Sequence, residues 1–244
     1  MSLLAPGEAW FEGLRVHADY RGQGLATRLE RTMIAEATAR GATTARLLTN
    51  VGNLPVHRNM YRHGFSNRII VRPWHWTMDE VNTPDCPTAL ALQAIRPEES
   101  RAVYDWWCRS SAWHATGGLI HRDWSFSSTS SNEWLERGAR GELLVHPASD
   151  ILGLRFPPPT ALVSSDVNDK GDARWSISVL SASGPEWYVL ACSLVSTAIA
   201  SGVGEIFALL PDTPFMSASL QRAGFVPGSD EDCLCLFERP LRDA

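Results

Sequence analysis

The sequence predicts an α/β fold in which one succession of strands and helices occurs twice. Two observations carry this. Short runs in which apolar residues alternate are interleaved with runs in which they recur every three or four residues, the periods of strands and helices. The opening succession is strand, turn, helix, strand, short helix, His63-Gly64-Phe65, strand, and it returns near the C-terminus with Ala223-Gly224-Phe225 in place of the first tripeptide. A weak internal repeat of this kind bears on the fold before any single element does. The length of 244 residues allows one or two domains at roughly 150 residues each. An apolar share of 44% and a charged share of 20% suit a globular chain with a buried core.

In chain order, Ala9 to Val16 sets Trp10, Glu12, Leu14 and Val16 against Phe11, Gly13 and Arg15, as a strand would. A glycine loop follows. From Ala26 to Arg40, Leu29, Met33 and Ala37 continue the i, i+4 stripe begun by Leu25, and Gly41 stops the helix. Thr44 to Thr49 reads as a strand, Leu54 to His63 as a short helix with Pro55 in its first turn, and Arg68 to Thr77 as a strand. Asn82 to Pro87 is the best linker and divides the chain into residues 1–84 and 85–244. Beyond it, strands are expected at Leu90 to Ile95, Leu143 to His146, Ile151 to Phe156, Leu162 to Val167, Trp175 to Leu180, Glu205 to Leu210 and Cys233 to Phe237. Helices are expected at Glu98 to Ser110, Ser131 to Arg137, Trp187 to Gly204 and before Gln221-Arg222-Ala223.

Composition narrows the function. A net charge of −5 without a basic run argues against a nucleic-acid partner. Five cysteines show no metal-ligand spacing, so no metal is expected, and they read as thiols of a reducing compartment. No secretory signal opens the sequence, and the expected location is the cytoplasm. The 18 uncharged residues from Trp187 to Gly204 are rich in Ser, Thr and Gly and read as a buried helix, not a membrane span. Ten tryptophans, five of them between Trp106 and Trp134, suit core packing better than the wall of an acceptor pocket.

The chemistry concentrates in Arg21-Gly22-Gln23-Gly24-Leu25-Ala26. The first amides of a helix lack internal partners and carry the positive end of the macrodipole. Such a loop can hold a pyrophosphate on backbone N–H groups if small residues let the anion approach. No Gly-Lys-Ser/Thr is present, and no GxGxxG with an acidic residue about 20 positions on, so nucleotide loops of those two kinds are excluded.

The run from Val16 through Asp19-Tyr20-Arg21 to Thr27, with Asn53 eleven residues before Gly64-Phe65, resembles the acetyl-CoA loop and second motif of the GNAT acetyltransferases. The resemblance implies a mixed, mostly antiparallel sheet flanked by helices, here as one partial and one degenerate copy. It implies that Leu14, Arg15 and Val16 pair with the pantetheine arm, that the amides from Gly22 through Gln23, Gly24, Leu25 and Ala26 to Thr27 hold the pyrophosphate, and that Asn53 contacts the cofactor. The activity implied is acetyl-CoA-dependent N-acetylation of a small-molecule amine or a protein amino terminus. A non-catalytic CoA-binding protein and a mycothiol-synthase-like acyltransferase are the alternatives.

Transfer to an amine needs a base for the ammonium and an acid for the departing thiolate. Glu12 is the candidate base, with Glu8 as second choice. The family's acid is a tyrosine four residues before Gly-Phe. Met60 holds that position, and Tyr61 follows it, turned by about 100° on a helix. His57 and His63 are weaker candidates. The family also has three strands and two helices ahead of the strand expected at Ala9 to Val16, where this sequence has eight residues. An exposed sheet edge is therefore expected, to be covered by missing upstream sequence, by the second half, or by a second copy of the chain in a homodimer. In the second half, the loop position reads Ser181-Ala182-Ser183-Gly184-Pro185-Glu186, where Glu186 would repel phosphate, so one CoA per chain is expected.

Overall fold

The alternating runs form strands, and the strands of both halves join in one sheet. The computed structural model describes residues 1–78, 86, 89–147, 158–168 and 171–241. In chain order the first half contains β1 (Ser2–Ala5), β2 (Glu8–Trp10), α1 (Leu25–Ala39), β3 (Thr44–Asn50), α2 (Leu54–Arg62) and β4 (Ser66–Thr77). The second begins with β5 (Gln93–Ala94), α3 (Ser100–Trp107), α4 (Ser111–Thr116), the hairpin β6 (Leu119–Arg122) and β7 (Ser125–Ser128), and α5 (Ser131–Ala139). It continues with β8 (Leu143–Val145), β9 (Thr160–Val167), β10 (Ala173–Ser181), α6 (Glu186–Ala200), β11 (Glu205–Pro211), α7 (Pro214–Arg222), β12 (Val226–Pro227) and β13 (Leu234–Pro240).

The strand order is β1-β2-β3-β13-β4-β11-β10-β9-β8-β5, with β12 also pairing β4. Only β2/β3 and β10/β11 are parallel; the other pairs among the described residues are antiparallel. Two features tie the halves together. The C-terminal strand β13 lies inside the first half, between β3 and β4, with Phe237 opposite Leu47 and Leu236 opposite Ile69. The 12-residue β4, about 40 Å long at strand rise, pairs its first part with β13 and its second part, from Val71 to Thr77, with β11. Each half thus receives a strand from the other, and a division at residue 84 separates the sequence but not the sheet.

Strand alternation sorts the core into two layers. Ile206, Ala208 and Leu210 pack with α6 and α7, and Cys235 and Phe237 pack with α1 and α2 on the same face. Phe207, Leu209 and Leu236 turn the other way and meet Trp10 and, from the hairpin, Leu119 and Phe126. The Ser128 amide also donates to Glu8 at 2.9 Å. The second half therefore covers one face of the first half's strands, which is one of the ways the sequence offered for closing the gap.

Several expectations need correction. The strand expected over Ala9 to Val16 ends at Trp10, because after Phe11 N–H bonds Arg46 C=O at 2.8 Å the chain leaves β3, and Gly13 adopts a left-handed φ of 71°. On α1, Leu29 is 48% exposed while Glu30 is buried, so the inward stripe is rotated from the apolar one. The helix expected at Glu98 to Ser110 is a 3-10 turn followed by α3, and the Ser110 hydroxyl, accepting from Trp113 N at 3.1 Å, starts a separate α4. Only Gln93–Ala94 of the run from Leu90 to Ile95 pairs. The hairpin β6–β7 has no counterpart among the expected elements. The strand from Ile151 to Phe156, and the linker apart from Cys86, lie outside the described residues. The uncharged run forms α6 with nine buried residues, and no helix among the described residues is long and apolar enough to cross a membrane. Seven tryptophans are buried, and Trp107, Trp113 and Trp134 form one stacked and edge-on group.

Because the halves share strands, they should unfold together. Phe237, on the strand that the second half lends, is fully buried in the first half's core under α1 and α2. Phe237→Ala is expected to cost about 3–5 kcal/mol, and urea transitions followed by tryptophan fluorescence and circular dichroism should coincide. Two separated transitions would contradict the shared sheet.

Candidate functional site

Two glycines shape the loop before α1. Gly22 (φ 76°) and Gly24 (φ 73°) sit in the left-handed region, and a Cβ on either would meet nothing within 4 Å. The glycines are thus required by backbone conformation, and the space beside them is open. Gly24 is the N-cap residue, and no side chain caps the helix. The first helical bond is Arg28 N–H to Gly24 C=O at 3.1 Å. The amides from Gly22 to Thr27 therefore have no partner among the described residues, and they stand at the positive end of a 15-residue helix. Upstream, Ala18–Tyr20 forms a 3-10 turn, and Arg21 Nε reaches Val16 C=O at 3.4 Å.

The backbone before the loop is also unpaired. β2 and β3 run parallel only from Glu8/Thr44 to Trp10/Arg46 and then part. Glu12, Gly13, Leu14 and Arg15 make no backbone hydrogen bond among the described residues, while Leu47 to Asn50 of β3 pair with β13 on their far side. A cleft thus opens between the end of β2 and β3, with the glycine loop beyond it.

The remaining candidates fall into distinct settings. Asn53 is the N-cap of α2; its amide nitrogen donates to Thr49 Oγ1 at 3.2 Å. Glu12 is exposed and lies outside any strand. Met60 is buried in the core between α2 and the sheet, whereas Tyr61 is 55% exposed, with its ring edge-on to Phe237 at 5.4 Å. His57 bonds Asn50 C=O through Nε2 at 3.0 Å and packs on the same Phe237. Glu8 is held by Arg46 at 2.8 Å, and Arg46 also binds Glu238 of β13 at 2.7 Å. So Glu8 is a structural anchor in this arrangement, tied to the inserted strand.

Sequence reasoning missed a polar cluster that joins the loop helix to α2. Thr27 Oγ1 donates to Asn59 Oδ1 at 3.2 Å, the Asn59 amide donates to the Glu30 carboxylate, and His63 Nε2 lies 3.3 Å from the same carboxylate. Burial raises the Glu30 pKa, against the lowering effect of the Asn59 bond. Burial lowers the His63 pKa, and the positive charges of Arg31 and Arg239 add to that. No pattern of apolar spacing signals a buried glutamate, because its satisfaction depends on residues some 30 positions away.

Comparison with known proteins agrees with this geometry. Residues 2–65 match the acetyltransferase (GNAT) family. Residues 2–65 are thus similar to a GNAT domain. A GCN5-related N-acetyltransferase from Sphaerobacter thermophilus superposes with a TM-score of 0.62 at 16% identity, covering 94% of this chain and 72% of that one. A tandem GNAT protein from the clavulanic acid biosynthesis pathway gives 0.54 at 16%, covering 98% and 76%. A GCN5-related glucosamine N-acetyltransferase region of a fungal multi-domain β-N-acetylglucosaminidase gives 0.59 at 13%, covering 94% and 29%. At such identities the likeness is one of fold, and that fold extends over both halves. No curated protein sequence matches the chain.

The loop helix α1 is held to α2 through Glu30, which yields a pH test. A folded-state pKa raised above the unfolded one means that burying the ionised carboxylate opposes folding as pH rises through the folded pKa. Below the unfolded value both states hold the neutral acid. Glu30→Gln should therefore be more stable than the parent at pH 8, with the difference vanishing by about pH 4. Melting temperatures across that range check it, and a pH-independent difference would refute the assignment.

Proposed function

We propose that the first half binds acetyl-CoA and transfers its acetyl group to an amine. The observation that carries this reading is the run of unpaired amides from Gly22 to Thr27 at the start of α1. When bound, acetyl-CoA supplies an activated acetyl thioester. The amides of Gly22, Gln23, Gly24, Leu25, Ala26 and Thr27 would hold its pyrophosphate, which needs several N–H donors and tolerates no Cβ crowding at the glycines. The unpaired backbone of Leu14 and Arg15, with the N–H of Val16, would hydrogen-bond the pantetheine amides, as an added strand does. Asn53, at the head of α2, would meet the same arm.

In this reading Glu12, exposed beside the cleft-lining backbone, accepts the ammonium proton of the acceptor, and Tyr61 offers a proton to the leaving thiolate. A second reading, CoA binding without turnover, is favoured by a specific observation. The family's tyrosine position is the buried Met60, and Tyr61 packs outward on Phe237. Activity is therefore to be measured separately from binding.

Gly24→Val places a β-branched residue at φ 73°, where it is strongly disfavoured, and sets a side chain where phosphate would approach. Calorimetry should show CoA binding to the parent and a loss of at least 100-fold in the variant, with unchanged far-UV circular dichroism. Retained affinity would refute the loop assignment. Thiol release from acetyl-CoA should follow for at least one acceptor in a panel of small amines, amino-terminal peptides and glucosamine. Binding without release across the panel would establish the non-catalytic reading. Given release, Tyr61→Phe should lower turnover about 10- to 100-fold if its hydroxyl is the acid.

A further inference from the structure

The first half is basic within an acidic chain. Residues 1–78 hold ten arginines against five acidic side chains, while the whole chain carries a net charge of −5. Three of those acids are engaged: Glu8 with Arg46, Glu36 with Arg40, and Glu30 with Asn59 and His63. Beyond the Glu30 cluster, an open groove of about 510 Å³ lies between α1 and the end of α2 and is bordered by β13. Arg31 and Ile34 from α1, Arg62 and His63 from the end of α2, and Arg239 from β13 line it, and no carboxylate does.

The cations of this groove lack counter-charges. Arg31, Arg62 and Arg239 make no ion pair among the described residues. Arg239 is fixed in place: Nη1 donates to His63 C=O at 2.6 Å, and Nε lies 3.8 Å from where a Cβ on Gly64 would stand. That bond satisfies a carbonyl at the C-terminus of α2 and offsets the negative end of its dipole, which would otherwise repel an anion. The positive field reaches His63, whose pKa is lowered by burial and then by the charges of Arg31 and Arg239. A bound anion would relieve that repulsion.

The second half offers no such site. At its helix start, Ser183 N–H donates to the Glu186 carboxylate at 3.3 Å. Where β10 and β11 part, an apolar cavity of about 400 Å³ lies beneath α4 and the β6–β7 hairpin, with Trp107 and Trp187 in its walls. Arg222 ends α7 as Arg62 ends α2, but its guanidinium lies over the Tyr188 ring, 4.0 Å from the centroid.

We propose that the groove of Arg31, Arg62 and Arg239 binds a small phosphate monoester, at a site separate from the loop proposed for acetyl-CoA. A guanidinium presents paired, coplanar N–H groups that match phosphate oxygens. Three of them suit a dianion with three free oxygens better than a lone carboxylate. Ile34 and Ala35 supply an apolar strip for the carbon side of the ester. Arg31 and Ile34 stand about 9 and 14 Å along α1 from Leu25, and the Thr27–Asn59–Glu30–His63 cluster joins the helices over that length. The groove and the acetyl-CoA loop can therefore fail separately.

Inorganic phosphate and glycerol 3-phosphate are the probes, added to the full-length protein at constant ionic strength, with glycerol as the uncharged control. The ring protons of His63, assigned by comparison with His63→Gln, are followed by NMR across pH. The charged groups around that ring are Glu30 and Arg31 of α1, its neighbour Arg62, and Arg239 of β13. A bound dianion offsets the arginine charges, so both probes should raise the His63 pKa saturably and glycerol should not. Arg31→Gln with Arg62→Gln, both on exposed helix positions, should weaken both probes about tenfold or more. Saturating CoA, and separately Gly24→Val, should leave phosphate affinity unchanged. No saturable effect on His63, binding undiminished in the double variant, an equal response to glycerol, or displacement by CoA would each overturn the proposal. A protein that binds phosphate here but never binds CoA would refute the acetyl-CoA reading and leave this site standing.

Discussion

The insertion of β13 into the first half is the constraint on which the rest of the molecule depends. A strand edge left open between β3 and β4 would expose unpaired backbone and an apolar face. β13 closes it with seven register pairs to β3 and brings Phe237 under α2, where His57 and Tyr61 pack on its ring. The strand also carries Glu238 to Arg46, which in turn holds Glu8 at the start of β2. The position of β2 relative to β3, and hence the mouth of the cleft proposed for acetyl-CoA, is thereby set by residues nearly 200 positions away. The first half is incomplete as a folding unit without the end of the chain.

The cluster of Thr27, Glu30, Asn59 and His63 plays a comparable part within the first half. Buried polar groups of this kind contribute little net stability, since desolvation offsets much of the attraction between them. Their bonds are directional, however, and they fix the rotation of α1 against α2. That rotation decides where the amides of Gly22 to Thr27 point. It also explains why Leu29 is left in solvent: Glu30 takes the inward face because Asn59 and His63 satisfy it. An apolar stripe would have let α1 slide and rotate more freely.

Legibility in the sequence follows how local the cause is. The loop, α1, β3, α2 and β4 depend on glycine conformation, capping and short-range periodicity, and their positions read directly. Leu14 to Val16 did not read as they lie, because alternation gives the face of a residue but not whether a partner strand is still beside it. The splitting of α3 from α4 was likewise hidden, since the Ser110 cap looks the same as any serine within an apolar run. The exchange of β4 and β13 could not be read at all. Strand partners are chosen by long-range complementarity, and a strand that serves its own half or another has the same local pattern. Glu12 and Tyr61 stand between these cases: their places in the sequence fit a family pattern, while their side chains sit in settings the pattern does not specify.

The two clefts show how far one backbone arrangement can diverge in chemistry. Each arises where a parallel strand pair parts, a geometry dictated by the sheet and common to both halves. In the first, left-handed glycines keep side chains away from the helix start, and the amides remain free for an anion. In the second, Glu186 occupies the amide at that position, α4 and the β6–β7 hairpin roof the gap, and Trp107 and Trp187 turn it apolar. Removing an anion site needs only a few side chains, because the helix dipole is weak against a carboxylate placed beside it. Closing the cleft needed whole elements, which a decayed half would have no cause to keep. The cavity beneath that roof is the part of the second half that sheet geometry alone leaves unexplained.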